Sequence, residues 1–215
     1  PDNVRAYMIS GTPHFAQPGA TVAANPACTM PTNPNHAGAP MRALLTHLQA
    51  WVSGDRAPPP SQVPTIAAGT LVEAARALPA PVPGLPYTGI HVPAAESDHS
   101  VIPPRVIGRF PVYVPRMDGD GVAVAGIRIP VLEAPRESRT AWNPRAEGYG
   151  PGVLCPLQGG VVPLAPTRAA REAARDPRPS LEERPARGPA LRAAAERLVA
   201  AGFLLPEDAA RFSAE

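Results

Sequence analysis

The feature that most constrains this chain is an apolar run near its start that stops at a glycine and is closely followed by a histidine. Residues 4–9 (Val-Arg-Ala-Tyr-Met-Ile) precede residues 10–15 (Ser-Gly-Thr-Pro-His-Phe). A short apolar run that ends at a turn signal is typical of a strand covered on both faces, as in a parallel sheet. Open α/β sheets collect their reacting groups beyond the carboxyl ends of their strands. The pattern therefore predicts that His14 lies at such an edge, the plainer alternative being a loop histidine that caps a turn.

A buried strand needs neighbours, because its backbone N–H and C=O groups cannot pair with one another. The run starts only four residues into the chain, so nothing before it offers a second strand. We therefore expect this chain to be the C-terminal part of something larger.

Proline and glycine are frequent along the whole sequence, with 32 prolines and 18 glycines among 215 residues. The hydrophobic fraction of 44% is nevertheless close to that of a globular protein and too high for a disordered one. The composition predicts long, ordered, non-repetitive loops that wrap a surface, with few regular elements.

One amphipathic helix is clear, and it begins at Pro40 and ends before Gly54. Its apolar residues recur at helical spacing on one face: Met41, Leu44, Leu45, Leu48, Trp51 and Val52. Strand, histidine loop and helix together form a βα unit, which we place at residues 1–56. Residues 57–168 are predicted to form a Pro- and Gly-rich extension, and residues 169–215 a helical segment.

A β-hairpin is predicted near residues 110–130 in the extension. Two strand-like runs, 111–115 and 122–129, flank Asp118-Gly119-Asp120-Gly121, and Asp-Gly pairs supply the positive φ that tight hairpins need. A calcium loop is the alternative for the two aspartates, but its twelfth position would be Ile129 instead of a glutamate. The turn is the favoured interpretation.

The helical segment carries clear start and stop signals. Ser180-Leu181-Glu182-Glu183 is a capping box, and Pro185 limits the helix that follows it to a single turn. A longer helix is predicted from Pro189 to Gly202, with Leu191, Ala194 and Ala195 on its apolar face.

Charge and cysteine content exclude several classes of partner. All 20 basic residues are arginine, the net charge is +2, and no basic stripe is interleaved with aromatic residues, so we expect no nucleic-acid partner. No apolar run is long enough for a membrane span. The two cysteines, Cys28 and Cys155, are too few for a structural zinc site, and nothing else indicates a metal or cofactor. They are either two buried thiols or one disulfide.

Several motifs, in the same order, resemble the C-terminal part of the large bacterial α/β-hydrolase-domain proteins. They are Gly11-Thr12-Pro13-His14, Asp118-Gly119-Asp120-Gly121 with 125–130 (Ala-Gly-Ile-Arg-Ile-Pro), Thr140-Ala141-Trp142-Asn143, 176–184 (Asp-Pro-Arg-Pro-Ser-Leu-Glu-Glu-Arg) and 204–208 (Leu-Leu-Pro-Glu-Asp). The resemblance covers nearly the whole chain. It implies an α/β fold, of which this chain supplies the last sheet strand, the histidine loop and an amphipathic helix. A loop-rich extension with a hairpin and C-terminal helices then follow.

The resemblance also implies a chemistry. In α/β-hydrolases the catalytic serine comes first, then the acid, then the histidine, so His14 matches the triad histidine. No Gly-x-Ser-x-Gly occurs here, and Ser10 and Ser53 precede a glycine without the strand–turn–helix context of a nucleophile. We therefore expect the serine and its acid in an upstream portion of the same hydrolase or on a companion chain, with a small ester as substrate. Proteins of this type are often exported, which implies a periplasmic or secreted location.

Three aromatic residues, Phe15, Trp142 and Tyr149, are the candidate substrate contacts, because aromatic side chains offer a large apolar area. Alternatively, they anchor loops on the body of the protein. We further predict that Cys28 and Cys155 are bonded to each other. The competing interpretation of the whole chain is a non-catalytic binding module that wraps a partner protein, with His14 in a structural role.

Overall fold

The computed structural model describes residues 3–16, 19–54, 56–87, 89, 95–150 and 153–213. The prediction of long ordered loops with few regular elements is confirmed. The helices are α1 (Gly38–Val52), α2 (Pro130–Glu133), α3 (Arg168–Ala173), α4 (Arg187–Ala200) and α5 (Pro206–Ser213), with 3-10 turns at Ala74–Arg76 and Leu181–Glu183. The strands are β1 (Leu71–Glu73), β2 (Ala95–Asp98), β3 (Arg105–Arg109), β4 (Tyr113–Pro115), β5 (Glu137–Arg139) and β6 (Val161–Pro163). No helix of the described ranges is long and apolar enough to cross a bilayer.

The apolar run at residues 4–9 is an extended segment with parallel neighbours, but it is not a strand buried on both faces. Tyr7 bridges Gln62 and Ile9 bridges Ile127, both in parallel. The Met8 N–H donates to the Gln62 carbonyl at 2.9 Å, and the Ser10 N–H donates to the Ile127 carbonyl at 2.9 Å. Each neighbour contributes a single bridging residue instead of a full strand, so the side chains stay half-buried or exposed. The prediction of a strand covered on both faces is therefore wrong.

The strands form three separate two-stranded antiparallel sheets: β1 with β4, β2 with β3, and β5 with β6. In the first, Val72 lies opposite Val114, and in the third Ser138 lies opposite Val162. These pairings fasten distant loops to one another.

The hairpin predicted near 110–130 exists only at its tip. Met117 and Ala123 form an antiparallel bridge, and the Asp118 carboxylate accepts hydrogen bonds from the N–H groups of Asp120 and Val122 at 3.0 Å each. Beyond this tip the predicted pairing is wrong, because 113–115 pair with 71–73 and Ile127 pairs with Ile9. The second run is held by core burial: Val122, Ile127 and Ile129 are all buried.

The helix predicted from Pro40 to Gly54 is confirmed as α1, but its apolar face points outward. Small residues, including Ala39 and Ala43, pack inward, whereas Leu45 and Val52 are 65% and 82% exposed. An ion pair adds to the inner side, since the Arg42 guanidinium contacts the buried Asp208 carboxylate of α5 at 2.5 and 2.9 Å. The described residues thus leave a largely apolar helix surface open to solvent.

The main core lies where α4 packs on α2 and on the 122–129 segment that precedes α2. Leu191 of α4 is fully buried against Val122, Ile129 and Leu132, and Ile9 packs at the edge of this cluster. A second cluster joins Ala39 of α1 to α4 and its following loop. The predicted apolar face of α4 is confirmed, because burial of Leu191, Ala194 and Ala195 fixes this helix on the core.

The capping box at Ser180 is also confirmed. The Glu183 carboxylate accepts hydrogen bonds from the N–H and the hydroxyl of Ser180 at 2.9 and 2.8 Å, and from Arg171 at 2.9 Å. These bonds to Ser180, with that from Arg171, lower the pKa of Glu183 from 4.5 to about 2. The charged carboxylate is therefore the form that stabilises the fold.

We expect the Glu183→Gln variant to lose a pH-dependent part of the stability. Because the pKa of Glu183 is lower in the folded protein, its carboxylate stabilises the fold fully at pH values above the unfolded pKa of 4.5. This contribution to the free energy of unfolding is lost as the pH falls toward about 2. The melting temperatures of the Glu183→Gln variant and the unaltered protein should differ most above pH 5 and converge near pH 2. Glu182→Gln, one position away, is the matched control, and a constant difference across the pH range would contradict the assignment.

Cys28 and Cys155 form a disulfide, as predicted, with Cα atoms 6.0 Å apart and a sequence separation of 127. Both cysteines are buried. The disulfide fastens the loop after the first segment to the loop that contains Cys155. Within that second loop, the Cys155 N–H donates to the Asn143 carbonyl at 2.7 Å. Disulfides are typical of proteins that fold in an oxidising compartment.

Candidate active site

The turn that carries His14 depends on a glycine. Gly11 has φ +60°, and a Cβ at this position would lie 2.9 Å from the Leu132 side chain and 3.0 Å from the Arg139 carbonyl oxygen. An L-residue would be strained there both by its backbone conformation and by the lack of space. The turn buries Pro13 and leaves His14 exposed immediately after it.

Two buried asparagines hold this turn in place. Asn33 Nδ2 donates to the carbonyl oxygens of Gly11 and Thr140 at 2.8 and 2.9 Å, and Asn35 Nδ2 donates to Gly11 at 3.1 Å. Arg139 in turn donates to the Asn35 side-chain oxygen. This amide network was missed by the sequence analysis, because asparagines beside prolines look like ordinary turn residues. It ties the position of His14 to the 33–35 loop.

Replacement of Asn33 by alanine should destabilise the protein by about 2 kcal/mol, because the buried Thr140 carbonyl oxygen loses the Asn33 donor and the Gly11 carbonyl oxygen keeps only that of Asn35. Chemical unfolding measures this loss. Asn25→Ala is the control, since Asn25 bonds only within its own turn, to the N–H of Ala27. Equal losses in the two variants would contradict the proposed role of the network.

A second glycine brings the 125–127 segment against the histidine segment. At Gly126, φ is +93°, and a Cβ would lie 2.6 Å from the Met8 carbonyl oxygen. This approach lets the buried Ser10 hydroxyl donate to the Ala125 carbonyl at 2.5 Å. Ser10 therefore has a structural hydrogen bond.

His14 itself faces solvent beside Phe15. The two ring centroids are 5.9 Å apart, and the Phe15 N–H donates to the Leu157 carbonyl at 3.0 Å. Within the described ranges, no carboxylate or hydroxyl is hydrogen-bonded to the imidazole. Nor does any group of three or more His, Cys, Asp or Glu residues come together there in a way that could hold a metal ion.

An apolar pocket of about 420 Å³ opens beside the histidine turn. We call it the Trp142 pocket. Residues 8–12 form one wall, and the other walls come from distant loops: Tyr87, Val112, Val114, Pro115, Met117, Gly121, Ala123, Ala141, Trp142 and Leu154. The pocket therefore exists only because the extension folds back over the His14 segment.

The predicted aromatic contacts differ in their relation to this pocket. Trp142 lines it, whereas Phe15 and Tyr149 are exposed and lie outside it. Tyr113 is also exposed and lies outside the pocket. Tyr87 was missed, since its position depends on loop packing that has no local sequence signal.

Two of the motifs that carry the family resemblance are structural. Asn143 exchanges hydrogen bonds with the backbone of Met30, at 3.1 and 2.9 Å. The buried Arg178 guanidinium contacts Asp176 at 2.6 Å and also donates to the Ser138 hydroxyl at 2.9 Å. Burial opposes ionisation of Asp176, but the hydrogen bonds from Arg178 outweigh it and hold its pKa below the usual value.

Comparison with known proteins places the chain in one family. A family model described as an alpha/beta hydrolase domain matches residues 1–214. The chain belongs to the α/β-hydrolase-domain family, which indicates hydrolase activity in general. No curated protein and no solved structure matches it.

Proposed function

We propose that this chain is the C-terminal portion of a serine hydrolase that cleaves carboxylic esters by acyl transfer, with His14 as the general base. The observation that carries the proposal is the fixed turn: Gly11, Asn33 and Asn35 hold the backbone while the imidazole stays accessible. An imidazole is suited to this role because its ordinary pKa lies near neutrality, so it can accept and return a proton.

The serine and the acid would come from an upstream portion of the same protein or from a companion chain. The open face of α1 supports such a neighbour, because contiguous apolar surface of this kind marks interaction sites. Met41, Leu45 and Leu48 are each at least half exposed there, and Leu44 and Trp51 line a shallow groove between them and Tyr7.

In the proposed reaction the His14 imidazole removes the proton of the serine hydroxyl as its oxygen attacks the acyl carbon. The bond to the leaving alcohol then breaks, and the imidazolium returns its proton to that alcohol. A water molecule then attacks the acyl-enzyme in the same way, with His14 again as the base. The bond to the serine oxygen breaks, the serine regains its proton, and the carboxylic acid product is released. The partner carboxylate would orient the imidazole through its second ring nitrogen.

The test is labelling with a fluorophosphonate of the protein purified from the cells that make it, followed by mapping of the labelled peptide. Label on a serine outside this chain, lost in the His14→Ala variant, would support the proposal. Label on a serine of this chain would contradict the assigned origin of the nucleophile. Absence of any label would contradict the hydrolase and favour a module that binds a partner protein.

A periplasmic or secreted location is proposed with this function. The Cys28–Cys155 disulfide supports it, because cytosolic reductants keep most thiols unpaired.

A further inference from the structure

We infer that the Trp142 pocket binds the hydrocarbon group of the ester, a compact aliphatic or aromatic moiety carried on either its acyl or its alcohol side. The inference rests on the proposed function for the reaction, but the binding itself can be tested apart from turnover. It follows from the hydrogen bonding of the lining, the rigidity of one wall, the volume and the position beside His14.

The side-chain polar atoms of the pocket lining are already used within the protein. Tyr87 donates its hydroxyl to the Ala74 carbonyl at 2.7 Å, and Trp142 donates its indole N–H to the Met117 sulfur at 3.3 Å. The Ser10 hydroxyl is bound to Ala125, and the Thr12 hydroxyl lies 3.4 Å from the Ser10 carbonyl. A polar ligand group would lose its hydration here without a partner in exchange, whereas a hydrocarbon loses nothing.

One wall of the pocket is a fixed pair of aromatic rings. The centroids of Tyr87 and Trp142 lie 5.0 Å apart with an interplanar angle of 57°, a favourable tilted arrangement. The indole is also packed against the core cluster of Met30, Leu85 and Val162. A preformed wall limits the ordering cost of binding, which favours a ligand that fits its shape.

The volume selects a compact group. About 420 Å³ is near the lower end of the roughly 300–1,000 Å³ found for ligand sites. A short or medium alkyl chain or a single ring fits this space, whereas a fully extended sixteen-carbon chain is longer than a round cavity of this volume is wide.

The pocket is also close enough to serve the same substrate as His14. Thr12 lies in its wall, and two residues of chain span at most about 7 Å between Cα atoms, so the His14 backbone lies within that distance of Thr12. An ester whose hydrocarbon group occupies the pocket can therefore reach the imidazole with its carbonyl carbon.

Hydrolysis of two ester series by the full protein tests the inference. In p-nitrophenyl esters from acetate to hexanoate, kcat/KM should rise about three- to fourfold per added methylene and fall again at palmitate. Alkyl acetates from methyl to hexyl vary the alcohol side instead. A rise in the first series assigns the pocket to the acyl group, and a rise in the second to the alcohol group. A flat profile in both would overturn the inference.

The variant Ala141→Phe fills the mouth of the pocket from an exposed position. It should abolish the rise with chain length, so that kcat/KM for hexanoate no longer exceeds that for acetate. Ala200→Phe, at an exposed alanine of α4 outside the pocket, is the control and should keep the rise. An equal loss for acetate and hexanoate in Ala141→Phe would point to a general disturbance and contradict the assignment.

Binding without turnover separates this inference from the proposed function. In a Trp51→Phe background, Trp142 is the only tryptophan among residues 1–215, and titration with 1-hexanol should give a saturable change in its emission that glycerol does not. This change is expected even if no ester is hydrolysed, in which case only the proposed function fails. If 1-hexanol gives no saturable change, the inference fails whatever the esterase activity.

Discussion

The His14→Ala protein is expected to lose ester hydrolysis by at least a factor of about a thousand while keeping its fold. General acid–base catalysis by a positioned imidazole contributes roughly 10²–10⁴-fold, and removal of a triad histidine costs more because the serine is no longer activated. The His14 side chain is exposed, so its truncation opens no cavity in the core. The measurement is kcat/KM for p-nitrophenyl butyrate beside a thermal melt.

His99→Ala is the matched control, because His99 is an exposed histidine on the β2–β3 turn, where Asp98 bonds to Ser100. It should hydrolyse the ester at the unaltered rate. Full activity of His14→Ala at an unchanged melting temperature would remove His14 from the reaction.

Loss of the Cys28–Cys155 disulfide is expected to cost about 4 kcal/mol of unfolding free energy. Its effect is large because the bond closes a loop of 127 positions and so restricts the unfolded chain strongly. Both cysteines are buried between loops that have few regular hydrogen-bonded elements to hold them otherwise. Urea unfolding with and without a reductant measures the difference.

The Cys28→Ala, Cys155→Ala double variant should be as unstable as the reduced protein and should not respond to the reductant. A free-thiol titration of the unfolded, unreduced chain should find none. Two free thiols would show that the bond is not formed.

Local sequence signals were sufficient to predict features whose contacts join residues close together in the sequence. The Ser180 capping box lies within four residues, and the apolar face of α4 follows from helical spacing, so both could be predicted. The Asp118 turn is local in the same way. The turn that exposes His14 could also be predicted, because a glycine and a proline surround it, and the catalytic role of His14 is a proposal from the family resemblance.

The long-range contacts could not be predicted in this way. Asp208 lies in the first turn of α5, where acidic residues are favoured, but nothing local shows that it also pairs with Arg42, 166 positions away. The apolar face of α1 correctly indicated a helix, yet periodicity does not say which side the rest of the chain will cover. The Trp142 pocket is built from loops without any period, so only the folded structure brings its walls together.

The long-range hydrogen bonds around the histidine turn affect when this part of the protein can fold during synthesis. Ser10 leaves the ribosome before its hydrogen-bond partner Ala125, which follows 115 positions later. At roughly 5–20 residues per second, the segment waits about 6 to 23 seconds before that partner is made. Until then the His14 turn has neither its 125–127 neighbour nor the Thr140 carbonyl to which Asn33 donates. The region that bears the proposed catalytic base is thus translated well before the segments that order it.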